Sequence, residues 1–204
     1  MPRFLAAMLT TLLIGLTLGA GPAGAAALTP TETVKSRVDD ALQSLTRLGA
    51  TGASAERRRA EIRRAADALF DFPEMARRAL GRHWTGRTAV ERDEFVGLFT
   101  DLIAQAYIGK IDRYAGEAVT YSGERVDGAS ASVRSQVVTA KGSQIPLEYR
   151  LHREQDGWTA YDVLIENVSL VGTYRSQFDR IIRTESFAAL LERLRAKGLV
   201  AEAR

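Results

Sequence analysis

The sequence predicts an α+β fold in one domain: helices, then a four-stranded antiparallel sheet, then helices again. Three observations carry this. Residues 29–114 repeat apolar side chains at steps of three and four behind helix-capping signals. Residues 117–168 hold four β-rich runs at hairpin spacing. Helical periodicity returns at Leu170 and continues to Leu194. The chain has 204 residues, which suits one domain or two, and no internal repeat or linker divides it. Charged residues make up 26% and hydrophobic residues 46%, an ordinary globular balance.

The first 27 residues read as an address. Arg3 and the amino terminus form a short positive region, Phe4–Leu18 is an apolar run, and small residues follow up to Ala25-Ala26-Ala27. The run is short for a membrane span and has the layout of a secretory signal peptide. Residues 28–204 are then the exported single domain, expected in a bacterial periplasm or outside the cell. Gly19–Gly24 matches the spacing of a dinucleotide-binding loop, but it lies in the segment to be removed and follows no strand. Export argues against nucleic acid, ATP and nicotinamide cofactors as partners, despite a formal charge of +3.

Element by element, Thr29-Pro30-Thr31-Glu32 is a capping box with proline at the first helical position. It opens a helix through Val34, Val38, Leu42 and Leu45 that ends near Gly49. Ser54 opens a second helix, with Ile62, Ala65, Ala66 and Leu69 as its apolar stripe. Asp71-Phe72-Pro73-Glu74 opens a short third helix to Leu80. Thr88-Ala89-Val90-Glu91 opens the longest, whose apolar stripe is wide: Phe95, Leu98, Phe99, Leu102, Ile103, Ala106, Tyr107, Ile111 and Tyr114. The strand runs are Glu117–Arg125, Ala129–Ala140, Gln144–Glu154 and Gly157–Val168, separated by Asp127-Gly128, Lys141-Gly142 and Asp156-Gly157. In the third run Ile145, Leu147, Tyr149 and Leu151 alternate with Glu148, Arg150 and His152. In the fourth, Tyr161, Val163 and Ile165 share one face and Trp158, Ala160 and Leu164 the other, so that strand is expected to be covered on both sides. A helix with Leu170, Tyr174, Phe178 and Ile181 on one face follows. The last helix carries Phe187, Leu190, Leu191 and Leu194, with Gly198 as its stop.

Motifs for chemistry are scarce. With no cysteine, the chain has no disulfide, thiolate metal site, lipid-modified cysteine or cysteine nucleophile. Two isolated histidines, His83 and His152, form no metal-binding spacing, and neither a phosphate-binding loop nor a nucleophile elbow occurs. No catalytic residue, metal site or cofactor is therefore assigned. Residues 54–92 hold ten arginines against six acids. That bias suits either a solvated helix face or a patch for anionic headgroups or an acidic partner. The surplus of apolar surface has two readings: a fully packed core, or a cavity between sheet and helices.

A resemblance bears on that choice. Residues 158–182, WTAYDVLIENVSLVGTYRSQFDRII, are similar to the hallmark segment of the MlaC or toluene-tolerance family: a tryptophan, then YDV-x-IEGVSLV-x-NYR-x-QF. Trp158, Tyr161, Asp162, Val163, Ile165, Glu166, Val168, Ser169, Leu170, Val171, Tyr174, Arg175, Gln177 and Phe178 fit. Asn167 stands for the usual glycine and Thr173 for the usual asparagine. Asp71-Phe72, Met75, Leu80-Gly81-Arg82, Trp84, Phe95, Phe99, Leu102 and Tyr107 fit a second stretch. The resemblance implies a curved sheet and helices enclosing an apolar cavity, like nuclear-transport-factor and steroid-isomerase folds. It also implies a non-enzymatic phospholipid carrier between an outer-membrane lipoprotein complex and an inner-membrane ABC transporter, touching membranes only transiently. A hopanoid or other polycyclic lipid is an alternative cargo. On this basis Tyr107, Leu147, Tyr149, Val163, Ile165, Val168, Leu170, Tyr174, Phe178 and Ile181 are the expected lipid contacts. Asp162, Glu166, Arg175 and Gln177 are expected at the strand-to-helix corner, with Arg175 paired to an acid. The competing classes are an isomerase-like enzyme with Asp162 as base and a tyrosine as acid, and a periplasmic adaptor that only docks proteins.

Overall fold

A computed structural model describes residues 28–111, 117–139, 142–155 and 157–196. The signal segment, Tyr114, the turn residues Lys141 and Asp156, Gly198 and the Ile111 side chain lie outside what it describes. Four helices come first: α1 (Pro30–Ala50), α2 (Ala55–Leu69), α3 (Phe72–Leu80) and α4 (Ala89–Ile111). Strands β1 (Ala118–Asp127), β2 (Ser130–Val138), β3 (Gln144–Glu154), β4 (Gly157–Ile165) and β5 (Val168–Ser169) follow, then α5 (Leu170–Thr184) and α6 (Phe187–Arg195).

Local hydrogen bonds set the helix starts. Thr29 Oγ1 accepts from the Glu32 amide at 3.2 Å while Glu32 Oε2 accepts from the Thr29 amide at 2.8 Å. Thr88 and Glu91 repeat the same reciprocal pair at 3.2 and 2.8 Å. Ser54, Asp71, Ser169 and Ser186 each accept from the amide three residues on. Among the described residues no helix is long and apolar enough to cross a membrane.

The sheet is an antiparallel meander in the order β1-β2-β3-β4-β5. It has five strands where four were expected, because the fourth run breaks at Glu166 and Asn167. Both adopt left-handed backbone, with φ 51° and 66°. They turn the chain so that Ile165 pairs with Val168 and Leu164 with Ser169.

The reading of β4 as apolar on both faces is corrected by a β-bulge. Arg150 pairs with Asp162 and Leu151 with Ala160, leaving Tyr161 unmatched. The extra residue changes the phase of the strand. Ala160, Val163 and Ile165 therefore stand opposite Leu151, Tyr149 and Leu147 on one face, while Leu164 lies opposite Glu148 on the other. The inner face continues through Ala131, Val133 and Val137 on β2, and the helices cover it.

The interior has two textures. At the α4–α5–α6 end it is solid and aromatic: Phe178 meets Phe95 edge-on at 5.6 Å, and Tyr174 meets Phe99 edge-on at 5.8 Å. Between α1, α2 and the sheet it is hollow.

Candidate functional site

The hollow is a cavity of about 460 Å³, within the range of small-molecule sites. One wall is the inner face of the sheet: Val119, Val137, Thr139, Ile145, Leu147, Tyr149, Val163 and Ile165. The facing wall is helical. α1 supplies Val38, Ala41, Leu42 and Leu45, α2 supplies Ile62, Ala65, Ala66 and Leu69, and α4 supplies Ile103, Ala104 and Tyr107. Phe70, Phe72, Met75 and Leu170 also line it. The space follows from side-chain size. Four alanines stand on helix faces whose helical spacing otherwise places leucine and isoleucine, so the backbones frame a gap that no described side chain fills.

The wide stripe of α4 now has a cause. Phe95 and Phe99 face the aromatic cluster, while Ile103 and Tyr107, one turn apart, face the cavity.

Six of the expected contacts line the cavity: Tyr107, Leu147, Tyr149, Val163, Ile165 and Leu170. Four do not, and their placement is corrected. Val168 is 61% exposed on the short strand beyond the Glu166–Asn167 turn. Tyr174, Phe178 and Ile181 are buried on the face of α5 that packs in the solid core, Tyr174 and Phe178 in the aromatic cluster with α4. In sequence the α1 and α2 wall residues show only as helix stripes. Their signal was the small residues within those stripes.

The wall carries little charge. Burial pushes the Tyr149 phenol up to about 12 and raises that of Tyr107, so both are neutral at physiological pH. Among the described residues the charged groups on the lining are Arg37, Arg63 and Glu117. Arg63 is held by Asp67 and Asp101, each at 3.2 Å.

Asp162, the residue an isomerase-like reading would use as base, does not line the cavity. It is 4% exposed, and both its oxygens are engaged. Oδ2 accepts from Ser169 Oγ at 2.6 Å, and Oδ1 accepts from the Val171 amide at 3.0 Å. These bonds tie β4 to the start of α5, the corner role expected of it. Among the described residues Arg175 pairs with no acid. Its Nε donates to the Arg78 carbonyl at 2.8 Å, and its stem lies against Gly81, whose φ is 55°. Gly81 adopts the left-handed backbone that glycine tolerates best.

His83 bridges to α5 through Asp179 at 2.9 Å. Asp71, His152 and Glu154 offer ligand atoms within 4.8 Å of one another, a grouping that sequence spacing does not reveal. His152 Nε2 lies 3.1 Å from Asp71 Oδ2, and Asp71 is at the same time the cap of α3.

A family model described as MlaC protein matches residues 35–196, from within α1 to the end of α6. The chain belongs to the MlaC family. A solved structure with a TM-score of 0.74 and 26% identity covers 81% of this chain, which in turn covers 94% of that one. It is a phospholipid-binding protein from Ralstonia solanacearum in complex with a phospholipid. The MlaC match contains every residue on the cavity lining.

Proposed function

We propose that this MlaC-family chain is a periplasmic phospholipid carrier. It takes acyl chains into the cavity and shuttles lipid between an outer-membrane lipoprotein complex and an inner-membrane ABC transporter. The observation that carries the reading is the apolar cavity of about 460 Å³ between the sheet and the α1–α2 pair. The relative from Ralstonia solanacearum, described as bound to a phospholipid, supports the same cargo.

The energetics suit a carrier. Each methylene withdrawn from water contributes about 0.8 kcal/mol, so an acyl chain of about 16 carbons is held in its bilayer by roughly 13 kcal/mol. A shuttle must replace that contact with its own apolar wall and leave the headgroup wet. Aliphatic and aromatic lining does this without a nucleophile, an acid or a base. Contact with an anionic membrane is brief, and the exposed Arg57 and Arg59 of α2 add electrostatic attraction to it.

The test is native mass spectrometry with lipid extraction on protein purified from the periplasmic fraction. Stoichiometric phospholipid is expected, and it is expected to vanish in a folded Ile165→Arg variant, which puts a charge on the wall. A co-purified polycyclic lipid would redirect the cargo. Lipid-free protein from both the wild type and the variant would sink the carrier reading in favour of a docking adaptor.

A further inference from the structure

We propose that Arg37 is the contact for the phosphate of the bound lipid, fixing the headgroup at the α1 side of the cavity; this rests on the carrier reading above. Arg37 is exposed yet belongs to the cavity lining. Its place on α1 is in the inward stripe: Val34, fully buried, is three residues before it, and Ala41 and Leu45 follow at four and eight. A cation in that stripe has its aliphatic stem along apolar wall and its guanidinium at the water.

Its partners are also telling. Among the described residues Arg37 makes no ion pair or hydrogen bond, and Asp40, one turn on, does not pair with it. The other cations nearby are committed. Lys35, on the outer face of α1, pairs with Asp39 at 2.5 Å, and Arg63, across the lining on α2, pairs with Asp67 and Asp101. Glu117, the acid of the lining, has an interaction of its own. Among the described residues the lining therefore presents one uncommitted guanidinium, a planar fork that matches a phosphate oxygen pair. A ligand with apolar tails and a phosphate ester satisfies both parts of this surface at once, whereas an uncharged diacylglycerol with the same tails satisfies only the cavity.

The test uses delipidated mature protein as wild type, Arg37→Ala and Arg37→Lys. Each is offered equal amounts of phosphatidylglycerol and diacylglycerol with identical tails, in mixed micelles of a non-ionic detergent. Bound lipid is read by native mass spectrometry. Wild type is expected to load the phosphate-bearing lipid over the diacylglycerol by about tenfold. Arg37→Ala is expected to fall to near parity between the two lipids, and Arg37→Lys to lie between. An Arg37→Ala protein that loads both lipids with the wild-type preference overturns the assignment alone. A wild type that loads neither lipid overturns it together with the carrier reading. Calorimetry with inorganic phosphate closes the remaining route: no heat is expected. A phosphate signal present in wild type and lost in Arg37→Ala would mark a free-anion site and overturn the lipid contact.

Discussion

Asp162 is a buried carboxylate in an otherwise apolar stretch, and its two acceptor bonds explain why it is there. The chain must leave β4, turn through Glu166 and Asn167, and enter α5 within eight residues. Oδ1 takes the Val171 amide, one of the orphan donors of the α5 N-terminus, while Oδ2 takes Ser169 Oγ, which itself caps the Gly172 amide. Asp162→Ala is expected to cost about 2 kcal/mol by leaving these donors unpaired, and Asp162→Asn less, because its amide oxygen keeps one bond. Urea midpoints at constant slope measure this; a midpoint within error of wild type in both variants would refute the corner role. Glu74 offers a pH-dependent test. The hydrogen bond from Arg77, seconded by Arg78, holds its carboxyl below the usual range. The folded state thus holds that proton less tightly than the unfolded chain does. The resulting stability is complete above the unfolded value, near 4.3, and is lost as pH falls through the lower folded value. Glu74→Gln should therefore lower stability at neutral pH and flatten its fall below about pH 4, read as urea midpoints from pH 3 to 7; parallel curves would count against it.

At the scale of elements, the β4–β5 turn is the strained one. Two consecutive left-handed residues are cheap for glycine or asparagine and cost a glutamate roughly 1 kcal/mol. Asn167 stands where the family pattern has glycine, and both residue types tolerate φ of 66°. Glu166 is exposed, and among the described residues its side chain makes no hydrogen bond or ion pair. Glu166→Asn is expected to raise the melting temperature by a few degrees, and β-branched Glu166→Val to lower it; a fall with asparagine would show that the glutamate side chain matters after all. This turn also shows where sequence reading stops. The starts of α1 to α4 are legible to the residue because a cap is a hydrogen bond between neighbours three apart. A tight turn without glycine has no such mark, so in sequence β5 looks like the end of β4. The bulge at Tyr161 was hidden for a different reason. It is a property of the pairing between Arg150–Leu151 and Ala160–Asp162, and alternation counted along one strand cannot reveal a change of phase imposed by another.

The whole molecule is a solid half joined to a hollow half, and helical spacing alone cannot tell them apart. Tyr174 and Phe178 repeat on α5 as regularly as Leu42 and Leu45 on α1, yet the first pair meets aromatic rings and the second meets a gap. Periodicity reports that a face is covered, not how closely. The cavity is what the resemblance to the MlaC family implies, and the alanines at 41, 65, 66 and 104 mark its position in the structure. The gap has a thermodynamic consequence. Side chains that line it face no partner atoms across the gap and forfeit the contacts that a filled core supplies. The lipid-free protein is then expected to loosen where the walls are thin. α1 and α2 lack the aromatic packing of α4–α5–α6, so removing lipid should raise amide exchange in residues 34–69 and leave residues 170–191 protected. Filling the space from within should reverse both effects. Ala66→Phe is expected to restore protection to α1 and α2 in the lipid-free state, raise its melting temperature, and reduce bound phospholipid. Exchange that rises equally in both halves on delipidation, or an Ala66→Phe protein that binds lipid as wild type does, would show that the cavity is not the element that lipid holds open.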